Sequence, residues 1–488
     1  TDSSCATERR NSLKRCSILL LLTLAASIGK AQAETLTLVT EKSSEYALYL
    51  HDPDDDGLRF AVNELRRYLS EMSGVQLPIV SGRRPPQAIA VGKAAALALG
   101  LDINDYTNHE EGFVKSVQPG RIVLAGHSRR ATLYAVYDFL EDLGCRWYAP
   151  NFEFYGKSKG EFVPGKSILE LETGLTVKSP TFSYRAKRVE EGWSVTPERL
   201  TVMIDWLAKT RHNVFNMTID YGGTGRIPYE DYRETIVPEI KKRGLLLHIG
   251  GHNYSLFLPD SYFDDHPAWF GMNPQGRRVP MLAGRVNFNT ANPEAVETFI
   301  QNCKDWLSNH PEIDLFSLVP EDSPVWDSSP ESRRLGSIPY RHALFANQVL
   351  GELKEEFPHL KVTLPAYQAL IRPPEGVVFE DNAQVGIAMI RRDNTRAFFD
   401  ISSQKNLYYL NYLWQWQDSG AIQGQISLGG YYRRYAFRSL PIINYSVLQA
   451  DLKYASMIGL AGLGEYGEPG DWFTFELIHY LTARLAWD

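Results

Sequence analysis

The chain has 488 residues, 44% hydrophobic and 22% charged, proportions of a folded globular protein that exclude the disordered and fibrous classes. That length exceeds what a single core organises, so two or more domains are expected. Residues 1–33 carry a net charge of +3 and the whole chain −7, leaving −10 on the remainder; with no basic stripe, such a surface repels phosphate backbones and excludes nucleic acid as a partner.

At the start of the chain Arg9, Arg10, Lys14 and Arg15 precede an apolar run from Ile18 to Ile28, followed by Ala31-Gln32-Ala33. The order predicts a secretory signal removed before Glu34, because the run is shorter than the roughly 20 residues a spanning helix needs. Export to the periplasm, the cell surface or the medium follows, with no membrane span after cleavage. Cys5 and Cys16 leave with that segment; Cys145 and Cys303, in core-like surroundings, are expected to be buried free thiols rather than a bridge.

From Leu36 to about Leu171 strand-like runs alternate with amphipathic helices. Leu58–Met72 has helical spacing and stops at Ser73-Gly74, Ala88–Gly92 and Arg121–Ala125 read as strands, and Thr132–Leu143 is a second helix ended by Gly144. The expectation is a small α/β domain over 34–178. Beyond Ser179-Pro180 eight strand candidates follow: Phe182–Val189, Val214–Asp220, Leu245–Gly250, Leu315–Val319, Val362–Ala366, Val385–Ile390, Ile422–Leu428 and Ala461–Glu465. Helical patterns such as Pro197–Thr210, Pro293–Ser308, Arg341–Phe357 and Phe473–Ala486 fill the gaps. Eight such units over about 300 residues predict a (β/α)8 barrel over 179–488, with a doubly wound open sheet as the alternative.

Working residues of such barrels lie where strands end. The ends supply Arg185 and Arg188, Asp220, His252 and Asn253, Glu321 and Asp322, Tyr367, Arg391 to Asp393, Tyr431 and Tyr432, then Glu465 and Tyr466. The sharpest motif is Pro320-Glu321-Asp322 after the fourth strand: two adjacent carboxylates, one able to protonate a glycosidic oxygen while the other orients or stabilises the reacting group. A solvated loop pair is the plainer alternative. Trp193, Trp326, Trp414, Trp416, Tyr431 and Tyr432 offer faces on which a sugar ring can stack, or core packing instead. Metal and cofactor motifs are weak: His248 and His252 fall along a strand and its loop, Asp52 to Gly57 reads as a polar turn, and Gly222 to Gly225 lacks P-loop or dinucleotide spacing. Neither metal nor cofactor is expected.

Ala61–Gly74, Ile89–Gly92, Glu111-Gly112-Phe113 and Thr132–Tyr148 resemble the non-catalytic N-terminal domain shared by β-hexosaminidases and bacterial α-glucuronidases. Gly250–Pro259, His266–Phe270, Asn292-Pro293-Glu294, Pro320–Trp326, Tyr431–Pro441 and Leu485–Asp488 resemble the domain-of-unknown-function family numbered 4838, associated with glycoside hydrolase family 163. The resemblance implies a retaining endo-β-N-acetylglucosaminidase acting on N-glycans, in which the substrate's own 2-acetamido oxygen is the nucleophile. It implies that Glu321 holds the acetamido N–H, that Asp322 is the general acid, and that Arg185 grips sugar hydroxyls. Many members of the family carry Asn then Asp-Gly where this chain has Glu321, Asp322 and Ser323, so the order of roles within the pair stays open. Substrate contacts are expected from Arg185, His252, Asn253, Trp326, Tyr367, Trp414, Tyr431 and Glu465. Two further readings remain: an α-glucuronidase or other exo-glycosidase using Glu321 with Glu465 as nucleophile, and a non-catalytic glycan-binding protein on the same fold.

Overall fold

The computed structural model describes residues 34–153, 160–189, 195–219, 229–432 and 444–488. Residues 1–33, where a signal is expected, Trp193, Asp220, Gly222 to Gly225 and most of the Tyr431–Pro441 motif lie outside the described residues.

Six strands of the first 178 residues form one sheet, in the order Gly174–Lys178, Phe113–Gln118, Arg121–Gly126, Ala88–Val91, Ala47–Leu50, Ile79–Val80. Period-two alternation sorts its side chains. Leu48, Leu50, Ile89, Val91, Ile122 and Leu124 join the core that holds the helices Asp56–Ser73 and Arg129–Asp142. Tyr49, Ala88, Ala90, Val123 and Ala125 face the short helix Lys93–Ala98 on the other side. The helix expected from Leu58 starts two residues earlier because the Asp55 carboxylate accepts a hydrogen bond from Leu58 N (2.9 Å), and Gly74, at φ 73°, ends it. Cys145 and Cys303 are buried free thiols.

All eight expected barrel strands are present and close on one another in parallel. They are β1 (Tyr184–Val189), β2 (Val214–Thr218), β3 (Leu246–Gly250), β4 (Leu315–Ser317), β5 (Lys361–Ala366), β6 (Ala383–Ala388), β7 (Ile426–Gly430) and β8 (Gly462–Tyr466). Pairing of β1 with β8, Arg185 beside Leu463 and Lys187 beside Glu465, seals the barrel and rules out the open sheet. β7 starts four residues and ends two residues later than expected: Gly429 and Gly430, poor strand formers alone, are carried into the ladder beside Ala388 and Glu465. No helix among the described residues is long and apolar enough to cross a membrane.

A buried polar seam joins the sheet domain to the foot of the barrel. Arg185 donates from Nη1 to Glu111 Oε2 (2.8 Å) and from Nε to Arg211 O (2.8 Å), while Arg130 Nε donates to Glu111 Oε1 (2.6 Å). Burial pushes the Glu111 carboxyl up, but the two guanidiniums outweigh it and hold its pKa below the usual range. Arg211 reaches Asp138 Oδ1 (3.0 Å) and Glu141 Oε2 (2.6 Å), and Tyr134 OH donates to His212 O (2.8 Å).

Candidate active site

A cavity of about 540 Å³ opens inside the barrel at the C-terminal ends of its strands. Barrel interiors are normally filled by layers of branched side chains. Here most inward positions of the last three strands are small: Gly386 and Ala388 on β6, Ser427 and Gly429 on β7 and Gly464 on β8 line the space, with Tyr466 at the end of β8 as the large exception. The missing side-chain volume is the cavity.

Strand parity decides what reaches it. On β1 Tyr184 and Arg188 line the cavity, so Arg185, one step out of phase, points the other way. On β3 His248 and then His252 face in, and from β4 onward Ser317, Val319 and Glu321 keep the same phase. Gly250 is required between them, since a Cβ there would meet Ser317 Cβ at 2.2 Å.

The floor is a polar chain. Tyr184 OH lies 3.1 Å from His248 Nδ1, and His248 Nε2 lies 2.8 Å from Ser317 Oγ. Burial, with the charge of Arg188, depresses His248 to about 3, so the imidazole is neutral at working pH. Burial raises Tyr184 to about 12, leaving it protonated. Arg188 sits over the Tyr466 ring at 5.1 Å, and Tyr431 OH meets Tyr466 OH at 3.4 Å.

Glu321 and Asp322 both line the mouth. Glu321 is half-buried; its Oε1 accepts from Ser255 N (2.9 Å), and its own N–H donates to Asn287 Oδ1 (3.0 Å). Asp322 is exposed, and its Oδ1 accepts from Gln368 Nε2 (2.9 Å) and Tyr367 OH (3.4 Å). Burial raises the Tyr367 pKa, and the neighbouring Asp322 charge adds to it, so this phenol remains a donor. His252 Nδ1 donates to Pro320 O at 2.5 Å, fixing the turn that carries the pair.

Three non-glycine residues among those described have positive φ, and two of them flank Asp322. Gln368, at φ 49°, holds its carboxylate, and Arg285, at φ 54°, donates from Nη2 to its carbonyl (3.5 Å). A left-handed side-chain-bearing residue costs on the order of 1–3 kcal/mol, and such strain concentrates where side chains must be aimed.

Of the residues expected from sequence, the cavity gathers Glu321, Asp322, His252, Tyr367 and Tyr431. Arg188 and Tyr466, also named as strand-end residues, line it too, whereas Arg185, Asn253, Trp326, Trp414 and Glu465 do not. Arg185 is only 1% exposed and committed to the domain seam; Arg188, three residues on, holds the inward position. Asn253 is a clip for β4, donating to Ser317 O (2.6 Å) and accepting from Val319 N (3.2 Å). Trp326 packs edge-on against His342, and Trp414 stands on the outer helix Gln404–Asp418, its indole N–H 3.4 Å from Tyr454 OH. Glu465 is out of phase with Gly464 and Tyr466, fully buried behind the barrel wall and 3.0 Å from Lys187 Nζ. It cannot serve as a nucleophile opposite Glu321. Sequence reasoning missed Tyr184, His248, Ser317, Arg285 and Gln368.

Arg188→Ala is expected to raise KM for substrate about tenfold or more, whereas Arg185→Ala is expected to cost about 3–5 kcal/mol of stability by leaving Glu111 buried beside one cation instead of two, with KM of the folded fraction unchanged. Steady-state kinetics paired with urea unfolding separates the two; a KM effect confined to Arg185 would return the sugar-gripping role to that residue.

The family model described as domain of unknown function (DUF4838) matches residues 154–488, more than half of the chain. No curated protein matches. Among solved structures, the crystal structure of a beta-N-acetylhexosaminidase from Bacteroides fragilis NCTC 9343 superimposes with a TM-score of 0.58 at 12% identity, covering 93% of this chain and 88% of that one. At that identity the likeness is one of fold.

Proposed function

Because the chain belongs to the DUF4838 family, whose barrel here carries two adjacent carboxylates at the mouth of a sugar-sized cavity, we propose that it is a glycoside hydrolase. The finer reading is a retaining endo-β-N-acetylglucosaminidase acting on N-glycans or related glycans. The observation that carries it is Glu321-Asp322: one carboxylate half-buried on a backbone N–H, its neighbour exposed and aimed by Gln368 and Tyr367.

In this reading the 2-acetamido oxygen of the substrate attacks its own anomeric carbon. The glycosidic C–O bond breaks as the ring of an oxazolinium closes, so no carboxylate opposite the pair is needed; the outward burial of Glu465 agrees with that arrangement. Glu321 accepts the acetamido N–H and stabilises the positive charge that grows there, while Asp322 gives its proton to the departing oxygen. Water, deprotonated by the same Asp322, then opens the oxazolinium from the face just vacated, and two inversions retain configuration. Arg188, the Tyr184–His248–Ser317 floor and the Tyr431–Tyr466 wall bind hydroxyls and ring faces. Export behind the N-terminal signal and a carrier role for residues 34–178 belong to the same proposal.

The test is incubation of residues 34–488 with an N-glycoprotein, with released glycans read by mass spectrometry. Glycans ending in a single N-acetylglucosamine support the reading. Monosaccharide release alone would favour an exo-acting glycosidase, and binding without any release would favour a glycan-binding protein.

A further inference from the structure

A second hollow, of about 580 Å³, adjoins the catalytic cavity and shares Tyr367, Ala388 and Ile390 with it. Gln368, which aims Asp322, is part of its wall. A group leaving the reacting centre past Asp322 therefore stands at its threshold.

Its wall is also cationic and aromatic. Arg391 and Lys405 both line it, and both are exposed. The two arginines between them in the chain are committed: Arg392 Nη1 lies 2.6 Å from Asp451, and Arg396 Nη1 lies 3.3 Å from Asp400. Arg391 and Lys405 join no ion pair among the described residues. Of the nearby carboxylates, Asp393 is hydrogen-bonded by Thr395 N and Oγ1 (3.0 and 2.6 Å) and feels the charges of Arg396 and Lys405 without an ion pair to Lys405, and Asp322 is held by Gln368 and Tyr367. Beside the cations the exposed ring of Tyr408 stands edge-on to Tyr412 at 4.9 Å, and Arg372 Nε donates to Tyr412 OH (3.1 Å), so a tyrosine ridge continues outward from the hollow. Two exposed cations that form no ion pair, in one hollow with the tyrosine rings, match an anionic sugar, whose ring stacks while its acid group pairs with guanidinium and ammonium.

We propose that this side pocket is a specificity subsite for a sugar bearing a carboxylate or sulfate, carried on a branch of the same glycan whose N-acetylglucosaminide bond is cut beside Asp322. The proposal rests on the glycosidase reading above for its location in the reaction, though its ligand chemistry is independent of it. Charge attraction makes the preference for acidic glycans salt-sensitive.

Two measurements test it. First, kcat/KM is compared for a matched pair of N-glycans with and without terminal sialic acid. The wild type is expected to favour the acidic one about tenfold at low salt, and Arg391→Ala or Lys405→Ala to remove most of that ratio. Second, saturation-transfer NMR is recorded with sialyllactose, sulfated lactose and lactose. A signal from the acidic probes, lost in Arg391→Ala, supports the subsite, and its presence with both acids or with sialyllactose alone tells a general anion pocket from a carboxylate one. Equal signals for lactose and the acidic probes, or signals indifferent to both substitutions, would overturn the proposal. If no glycan is cleaved, the glycosidase reading fails while the NMR experiment still decides the subsite.

Discussion

Asp322→Asn is expected to lower release of N-glycans by about 10²–10⁴-fold, the contribution of a positioned general acid; on an aryl glycoside of the same glycone the bond-breaking step is expected to be rescued, read as a burst of nitrophenolate, while the attack of water that follows stays slow for want of the Asp322 base. A sugar alkoxide is a poor leaving group and must receive a proton as the C–O bond breaks; a nitrophenolate departs without help. The amide in this variant keeps the shape of the side chain and can still meet Gln368 and Tyr367, so loss of activity reports the proton rather than a collapsed site. Glu321→Gln should behave differently. The charge that stabilises the oxazolinium is needed whichever group leaves, so activity is expected to fall about 10²–10³-fold on both substrates. A rescue pattern that follows Glu321 instead would exchange the two roles, the possibility left open by this chain's Glu-Asp-Ser in place of Asn-Asp-Gly. Unchanged rates in both variants would remove the pair from the mechanism.

What the sequence disclosed, and what it hid, both follow from burial in barrel strands. Element order, strand count and the carboxylate pair were legible because period, turn residues and the apolar run before Pro320 are local signals. Facing direction was not. A half-exposed strand advertises its phase by alternation, but a barrel strand is covered on both sides. Along Tyr184–Val189 the outward residues include Arg185 and Lys187, as polar as the inward Arg188, so the arginines could not be told apart. Glu465 misled for the same reason. One signal in the sequence was usable: Gly386, Ala388, Gly429 and Gly464, small residues near three successive strand ends, mark the emptied side of the barrel. Gln368 and Arg285 had no local signature, because their value lies in a strained backbone that only the folded turn imposes.

Lys187→Met is expected to destabilise the protein by about 3–5 kcal/mol, as removal of one partner from a buried ion pair does. Lys187 and Glu465 are neighbours across the β1–β8 closure, both fully buried, with Nζ 3.0 Å from Oε2 and 3.1 Å from His479 Nδ1 on the final helix, Trp472–Trp487. Burial alone would push the Glu465 carboxyl up; Lys187 and His479 outweigh it and bring it to about 2. A folded pKa below the unfolded value of about 4.3 means stabilisation that is whole above that value and drains away as pH falls toward 2. In Lys187→Met the sign reverses: the carboxylate, now without its cation, is held up by burial, so mild acid should reduce the deficit instead of enlarging it. The double variant Lys187→Met/Glu465→Leu removes both charges and is expected to recover most of the loss, since two apolar side chains of similar volume replace a pair whose desolvation is costly. Urea unfolding of the three proteins at neutral pH and at about pH 4 reads all of this. A deficit under about 1 kcal/mol for Lys187→Met, or one that grows in acid, would show that the pair does not staple the barrel shut. Glu465→Gln gives the catalytic counterpart: activity per folded molecule is expected to persist, because this acid faces the final helix and not the sugar.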